Sequence, residues 1–136
     1  MIFFVDTSFW VALIRERDTH HPDARLLQQQ LSASLVTSDR VMEETWTFLR
    51  RRAGHRLAMR FTDEMGALES KGDLAIERLG TQVVDAAWRW LTLHDERSYS
   101  FVDSSSFALM RYLGLTRALA FDGDFTAAGF IELRPS

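Results

Sequence analysis

The chain has 136 residues, 46% hydrophobic and 26% charged, with a formal net charge of −3 and no cysteine. That length suits one ordinary domain with its own core, residues 1–136 as a single unit, and the composition excludes a disordered protein. Without cysteine there is no disulfide framework and no thiolate metal site, which fits a reducing compartment, and the mild negative charge argues against a general nucleic-acid coat.

The opening MIFFVD has no basic n-region, and no apolar run approaches the roughly 18 residues of a membrane span. A cytoplasmic protein is therefore expected. IFFV (2–5) reads as a buried strand ending at Asp6. SFWVALIRER follows as a helix, with Phe9, Leu13 and the stem of Arg17 along one face. HHPDARLLQQQL (20–31) begins a second helix, with Pro22 suited to its first turn. SLVTS (34–38) is a second strand, and Asp39 is the expected N-cap of the helix RVMEETWTFLRRR.

A further helix is predicted over 55–71, then a strand in LAIERL (74–79) with Gly72 and Gly80 near its ends. TQVVDAAWRWLTLHDE (81–96) places Val83, Val84, Ala87, Trp88 and Leu91 at helical spacing. VDSSSFALMRYLGL is a shorter helix closing near Gly114. ALAF (118–121) and FIEL (130–133) complete the chain as strands joined by a short turn over 122–129.

Strands alternating with helices imply right-handed crossovers and a mostly parallel sheet between helical layers. The loops at the carboxyl ends of such strands form the ligand crevice. Asp6 and Asp122 each follow an apolar run, and Asp103 stands at the start of a helix. Singly, Asp6 and Asp103 read as helix caps and Asp122-Gly123-Asp124 as a turn. Together, three carboxylates at one sheet edge repel and call for a cation. An all-oxygen cluster without a histidine pair at ligand spacing favours Mg²⁺ or Mn²⁺ over zinc; His20 and His21 read as loop residues.

Glu43 and Glu44 lie on opposite flanks of the buried arc of their helix, and periodicity does not choose between them. Of the sixteen basic residues, only Lys71 is a lysine; Arg50, Arg51, Arg52, Arg56 and Arg60 cluster within RRRAGHRLAMR. Arginine suits bidentate phosphate contacts, and a solvated helix face is the plainer alternative.

Four segments in this order resemble the PIN domain, and specifically the VapC-like toxin ribonucleases of bacterial toxin–antitoxin pairs: VDTSFWVAL, LVTSDRVMEETWTFLRRR, YSFVDSSSFALMRYLGL and ALAFDGDF. The resemblance covers essentially the whole chain. It implies a three-layer α/β/α sandwich and matches Asp6, Glu44, Asp103 and Asp122 to the family's four acids. Glu44 is matched through TS-x-x-V-x-x-E from Thr37, which separates it from Glu43. Asp124 stands where the family usually has a basic or polar residue, and Val102 where it often has threonine or serine. Thr7, Ser8 and Ser104 are expected to support the site.

The resemblance further implies Mg²⁺- or Mn²⁺-dependent endoribonuclease activity, with RNA phosphodiester bonds hydrolysed by metal-activated water. RNA contacts are assigned to the five clustered arginines. A homodimer and a cognate antitoxin are also implied, and either Trp88 or Trp90, which cannot share one helix face, is expected at such a surface. The alternative is a catalytically silent RNA- or protein-binding module of the same fold. A receiver-like signalling domain is disfavoured, because the sole lysine, Lys71, is wrongly placed for it.

Overall fold

Ile2–Val5 forms β1, whose last three residues are buried. Continuous burial of this kind belongs to an interior strand of a parallel sheet. In the computed structural model, which describes all 136 residues, β1 is the middle of five strands. The others are β2 (Ser34–Ser38), β3 (Leu74–Glu77), β4 (Arg117–Leu119) and β5 (Ile131–Glu132). Their order is β3-β2-β1-β4-β5, and every neighbouring pair is parallel.

Seven helices accompany the sheet: α1 (Thr7–Ile14), α2 (His21–Gln30), α3 (Asp39–Arg52), α4 (His55–Ser70), α5 (Thr81–Leu93), α6 (Phe101–Leu113) and α7 (Asp124–Ala127). The result is the expected three-layer α/β/α sandwich, parallel throughout. From β1 the chain builds outward through β2 and β3, then returns to add β4 and β5 on the other side. The strand order therefore reverses between β1 and β4, and a crevice opens at that switch beyond the carboxyl ends of the strands.

Several local expectations are corrected. The first helix ends at Ile14, and Phe9 through Ile14 are all buried, so Arg17 lies outside it. A helix apolar on every side is an interior helix, for which an amphipathic face is the wrong template. Ser38, not Asp39, caps α3: its hydroxyl accepts from the Val41 amide at 3.1 Å, and Asp39 is the first helical residue. Strand β4 stops at Leu119, so Asp122 follows it by a short loop and not directly. The segment 122–129 contains α7, entered through Gly123 at φ +82°, a left-handed conformation that glycine adopts without strain.

The core is one contiguous hydrophobic cluster that includes Phe4, Trp10, Phe61, Phe107 and Phe125. Of the two tryptophans on α5, Trp90 packs edge-on against Tyr99 and Phe107, while Trp88 is 56% exposed and leans on Phe101. No helix is long and apolar enough to cross a membrane.

Candidate metal centre

Asp6 is the N-cap of α1 and is buried. Its Oδ2 accepts from the Ser8 amide at 3.1 Å and the Ser8 hydroxyl at 2.7 Å. The cap reading and the site reading of Asp6 thus describe different oxygens of one carboxyl group. Burial pushes its pKa up to about 8, with the nearby Asp122 adding to the shift and the Ser8 hydrogen bonds opposing it.

Asp103 occupies the third position of α6 within a reciprocal capping box. Its amide donates to Ser100 Oγ at 3.0 Å, and its Oδ2 accepts from the Ser100 amide at 2.9 Å. Burial raises its pKa to about 6 against the Ser100 hydrogen bonds, with Asp124 and Glu44 contributing repulsion. Asp122 reaches about 6 as well, again chiefly through desolvation, although the residue is the most solvent-exposed of the three. Its Oδ1 accepts from the Asp124 amide at 3.1 Å.

Glu44 is half-buried on α3 and Glu43 is exposed. Glu44 lines a cavity of about 310 Å³ together with Asp6, Asp103 and Asp122. Glu43 does not line that cavity. The helix is set at this distance by the hydroxyls of Thr45 and Thr7, 3.3 Å apart across α3 and α1. Thr37 donates to the Val5 carbonyl at 2.8 Å, fixing β2 against the end of β1.

The three residues expected to support the site are placed differently. Ser8 holds Asp6 directly and also accepts from the Phe121 amide at 3.0 Å. Thr7 reaches α3 through Thr45. Ser104 makes no hydrogen bond to a carboxylate; it is buried and donates to the Ala87 carbonyl at 2.7 Å, docking α6 on α5.

Asp124 comes close to the group, with one oxygen from each of Asp103, Asp122 and Asp124 mutually within 4.8 Å. It also pairs with Arg97, whose Nε donates to Asp124 Oδ1 at 2.8 Å. Glu132 braces the same loop from below by accepting from the Gly123 and Thr126 amides at 3.2 and 2.9 Å.

Other contributors were not singled out from sequence. Asp18 and His20 line the acid cavity, the His20 ring lying parallel to Phe121 with centroids 4.6 Å apart. Only the fold brings them there. For Ser100, also not singled out, a local signal exists: S-x-x-D ahead of an apolar run is capping-box spacing. Of the clustered arginines, Arg51 and Arg52 line a second cavity next to Glu44, Arg60 pairs with Glu64 at 3.1 Å, and Arg50 and Arg56 are exposed.

The donor set fits a hard divalent cation. Asp6, Asp103 and Asp122 each commit one oxygen to a local amide or hydroxyl, and the other makes no hydrogen bond within the chain. Carboxylates in that condition, with raised proton affinity from burial and mutual repulsion, are stabilised by a cation with oxygen preference.

The PIN domain model matches residues 3–131. The 23S rRNA-specific endonuclease VapC20 of Mycobacterium tuberculosis, from strains CDC 1551 / Oshkosh and H37Rv, is 46% identical over 134 residues, covering 98% of this chain and 99% of the relative. The crystal structure of M. tuberculosis VapC20, described as a sarcin-ricin loop cleaving toxin, superposes with a TM-score of 0.90 at 47% identity, covering 99% and 100% of the two chains.

Proposed function

Since the chain belongs to the PIN-domain family, we propose that it is a divalent-metal-dependent endoribonuclease acting as the toxin of a toxin–antitoxin pair. The observation that carries this reading is the convergence of Asp6, Glu44, Asp103 and Asp122 on one cavity at the switch between β1 and β4. The similarity to a 23S rRNA-specific endonuclease supports RNA as the substrate and makes 23S rRNA the first target to test.

Asp6, Glu44, Asp103 and Asp122 would hold Mg²⁺ or Mn²⁺, with Asp124 adjoining. When bound, such an ion would lower the pKa of water and supply positive charge to a phosphate. Within the chain, Ser8, the Ser100 amide and the Asp124 amide each fix one carboxylate oxygen and turn its partner oxygen free. Holding the ligands in place before substrate arrives removes a reorganisation cost at reaction. Arg97 offsets the charge of Asp124 at the rim. Chemistry of this class uses no 2′-hydroxyl, so products carry 5′-phosphate and 3′-hydroxyl ends.

Arg50, Arg51, Arg52, Arg56 and Arg60 are assigned to the RNA backbone, where phosphate contacts set affinity and salt dependence. A homodimer, a cognate antitoxin and a cytoplasmic location belong to the same proposal. Exposed Trp88 is the tryptophan available to such a protein surface.

The test is incubation of purified protein with ribosomal and total RNA in Mg²⁺ or Mn²⁺, with and without EDTA, beside Asp6→Asn and Glu44→Gln. Metal-dependent fragments with 5′-phosphate ends are expected from the wild type alone. Intact RNA under all conditions, or equal cleavage by the variants, refutes the mechanism.

A further inference from the structure

A second cavity, of about 530 Å³, shares Glu44 and Phe48 with the acid cavity. One stripe of α3 builds its long wall: Arg40, Glu44, Phe48 and Arg51 with Arg52 recur at the spacing of successive turns. Phe101, at the start of the helix carrying Asp103, closes the opposite side.

Arg40, Arg51 and Arg52 are in no ion pair, like most arginines of the chain, so their charge is available to a ligand. Two of them also lie over aromatic rings: Arg40 Cζ is 5.8 Å from the Phe101 centroid, and Arg52 Cζ is 5.4 Å from that of Phe48. A guanidinium backed by an aromatic ring is a flat, cationic platform, the surface on which unpaired bases stack.

Resting on the endoribonuclease reading above, we infer that this cavity binds one unpaired nucleotide of the RNA next to the scissile phosphate. Its base stacks on the Arg40–Phe101 platform, and Arg51 and Arg52 neutralise the adjoining phosphates. A base offers N–H donors that the Glu43 and Glu44 carboxylates in the lining can accept. An acidic peptide segment would meet those same carboxylates as repulsion. Because a paired base cannot reach a platform, the cavity also selects looped or single-stranded RNA.

The experiment compares binding of a short single-stranded RNA and of the same RNA with abasic residues, in EDTA, by fluorescence anisotropy. The wild type is expected to favour the intact RNA by roughly fivefold to a hundredfold, the range of base-stacking contributions. Arg40→Ala and Phe101→Ala should bring that ratio close to one. Arg40→Lys, which keeps the charge and loses the plane, should also lose the base preference while retaining the salt dependence of binding. Circular dichroism identifies a variant that has merely unfolded, and the Arg40 variants stand if Phe101→Ala fails to fold.

A wild-type ratio of one overturns the inference, as does a ratio unchanged in folded Arg40→Ala or Phe101→Ala. Cleavage of ribosomal RNA in Mn²⁺ is scored separately. A base preference without any cleavage leaves the nucleotide site standing and overturns the nuclease reading; cleavage without base preference does the reverse.

Discussion

Ser8 Oγ accepts from the Phe121 amide at 3.0 Å while its hydroxyl donates to Asp6 Oδ2 at 2.7 Å, so one side chain ties the end of β1 to the loop carrying Asp122. Ser8→Ala should therefore act on both acids. Mn²⁺ affinity, measured by isothermal titration calorimetry, is expected to fall about tenfold or more, the usual effect of removing a group that orients a metal ligand. Folding stability should drop by about 1–3 kcal/mol, because the Phe121 amide loses its partner. Unaltered Mn²⁺ binding would show that Ser8 has no orienting role.

The metal-free protein should lose stability as pH rises. Asp6 is raised to about 8, and Asp103 and Asp122 to about 6, from an ordinary value of 3.8. An acid whose folded pKa exceeds its unfolded one holds protons more tightly when folded, so its contribution is full below the ordinary carboxylate range. That contribution is lost as pH climbs through six and then eight. Thermal melts in EDTA should give a lower Tm at pH 8.5 than at pH 5. Mn²⁺ should raise Tm more at pH 8.5, since the ion competes with protons for the same oxygens. A metal-free Tm that increases over this interval contradicts the burial account.

Asp6→Asn should separate stability from activity. The amide keeps an oxygen for the Ser8 hydrogen bonds and removes a charge whose burial is costly. A higher Tm in EDTA at pH 8.5 is expected, together with a loss of RNA cleavage on the order of a hundredfold or more. Glu44→Gln should show the same loss of cleavage. Full activity in either variant would remove that residue from the metal set.

Asp124 sits close enough to Asp103 and Asp122 to share an ion, yet Arg97 occupies one of its oxygens. Asp124→Asn is expected to weaken Mn²⁺ by about tenfold at most, against about a hundredfold for Asp122→Asn. Equal losses in the two variants, read by calorimetry, would make Asp124 a full ligand.

Arg51 and Arg52 are exposed and unpaired beside the acid cavity. Replacing both with alanine should reduce RNA affinity and make the dependence of log Kd on log salt shallower by about 1.4, the value for two phosphate contacts on a single strand. Binding across a salt series checks it, and an unchanged slope rules out backbone contact by this pair.

The elements that sequence patterns locate are those with strong local causes. IFFV and SLVTS are apolar runs of strand length, and Gly114 closes α6 in the left-handed conformation expected of a C-terminal glycine. The misplacements have local causes too. Ser38 and Asp39 are both good caps, and only the path of β2 into α3 chose the serine. The turn of α7 is too short for periodicity to register, and α1 has no polar face to reveal its period.

By itself, the sequence determined the α/β alternation and the presence of aspartates beyond apolar strands, because both follow from residue type and short-range order. The family pattern, and not periodicity, chose Glu44 over Glu43. Tertiary structure decided which groups share one space. The sheet order sets β1 beside β4, so Asp6 and Asp122 meet across more than a hundred residues of chain. It also brings Arg97 to Asp124, His20 to Phe121, and Phe101 opposite the arginine stripe of α3. Contacts between distant segments depend on how strands cross and helices pack, which no local window of residues encodes.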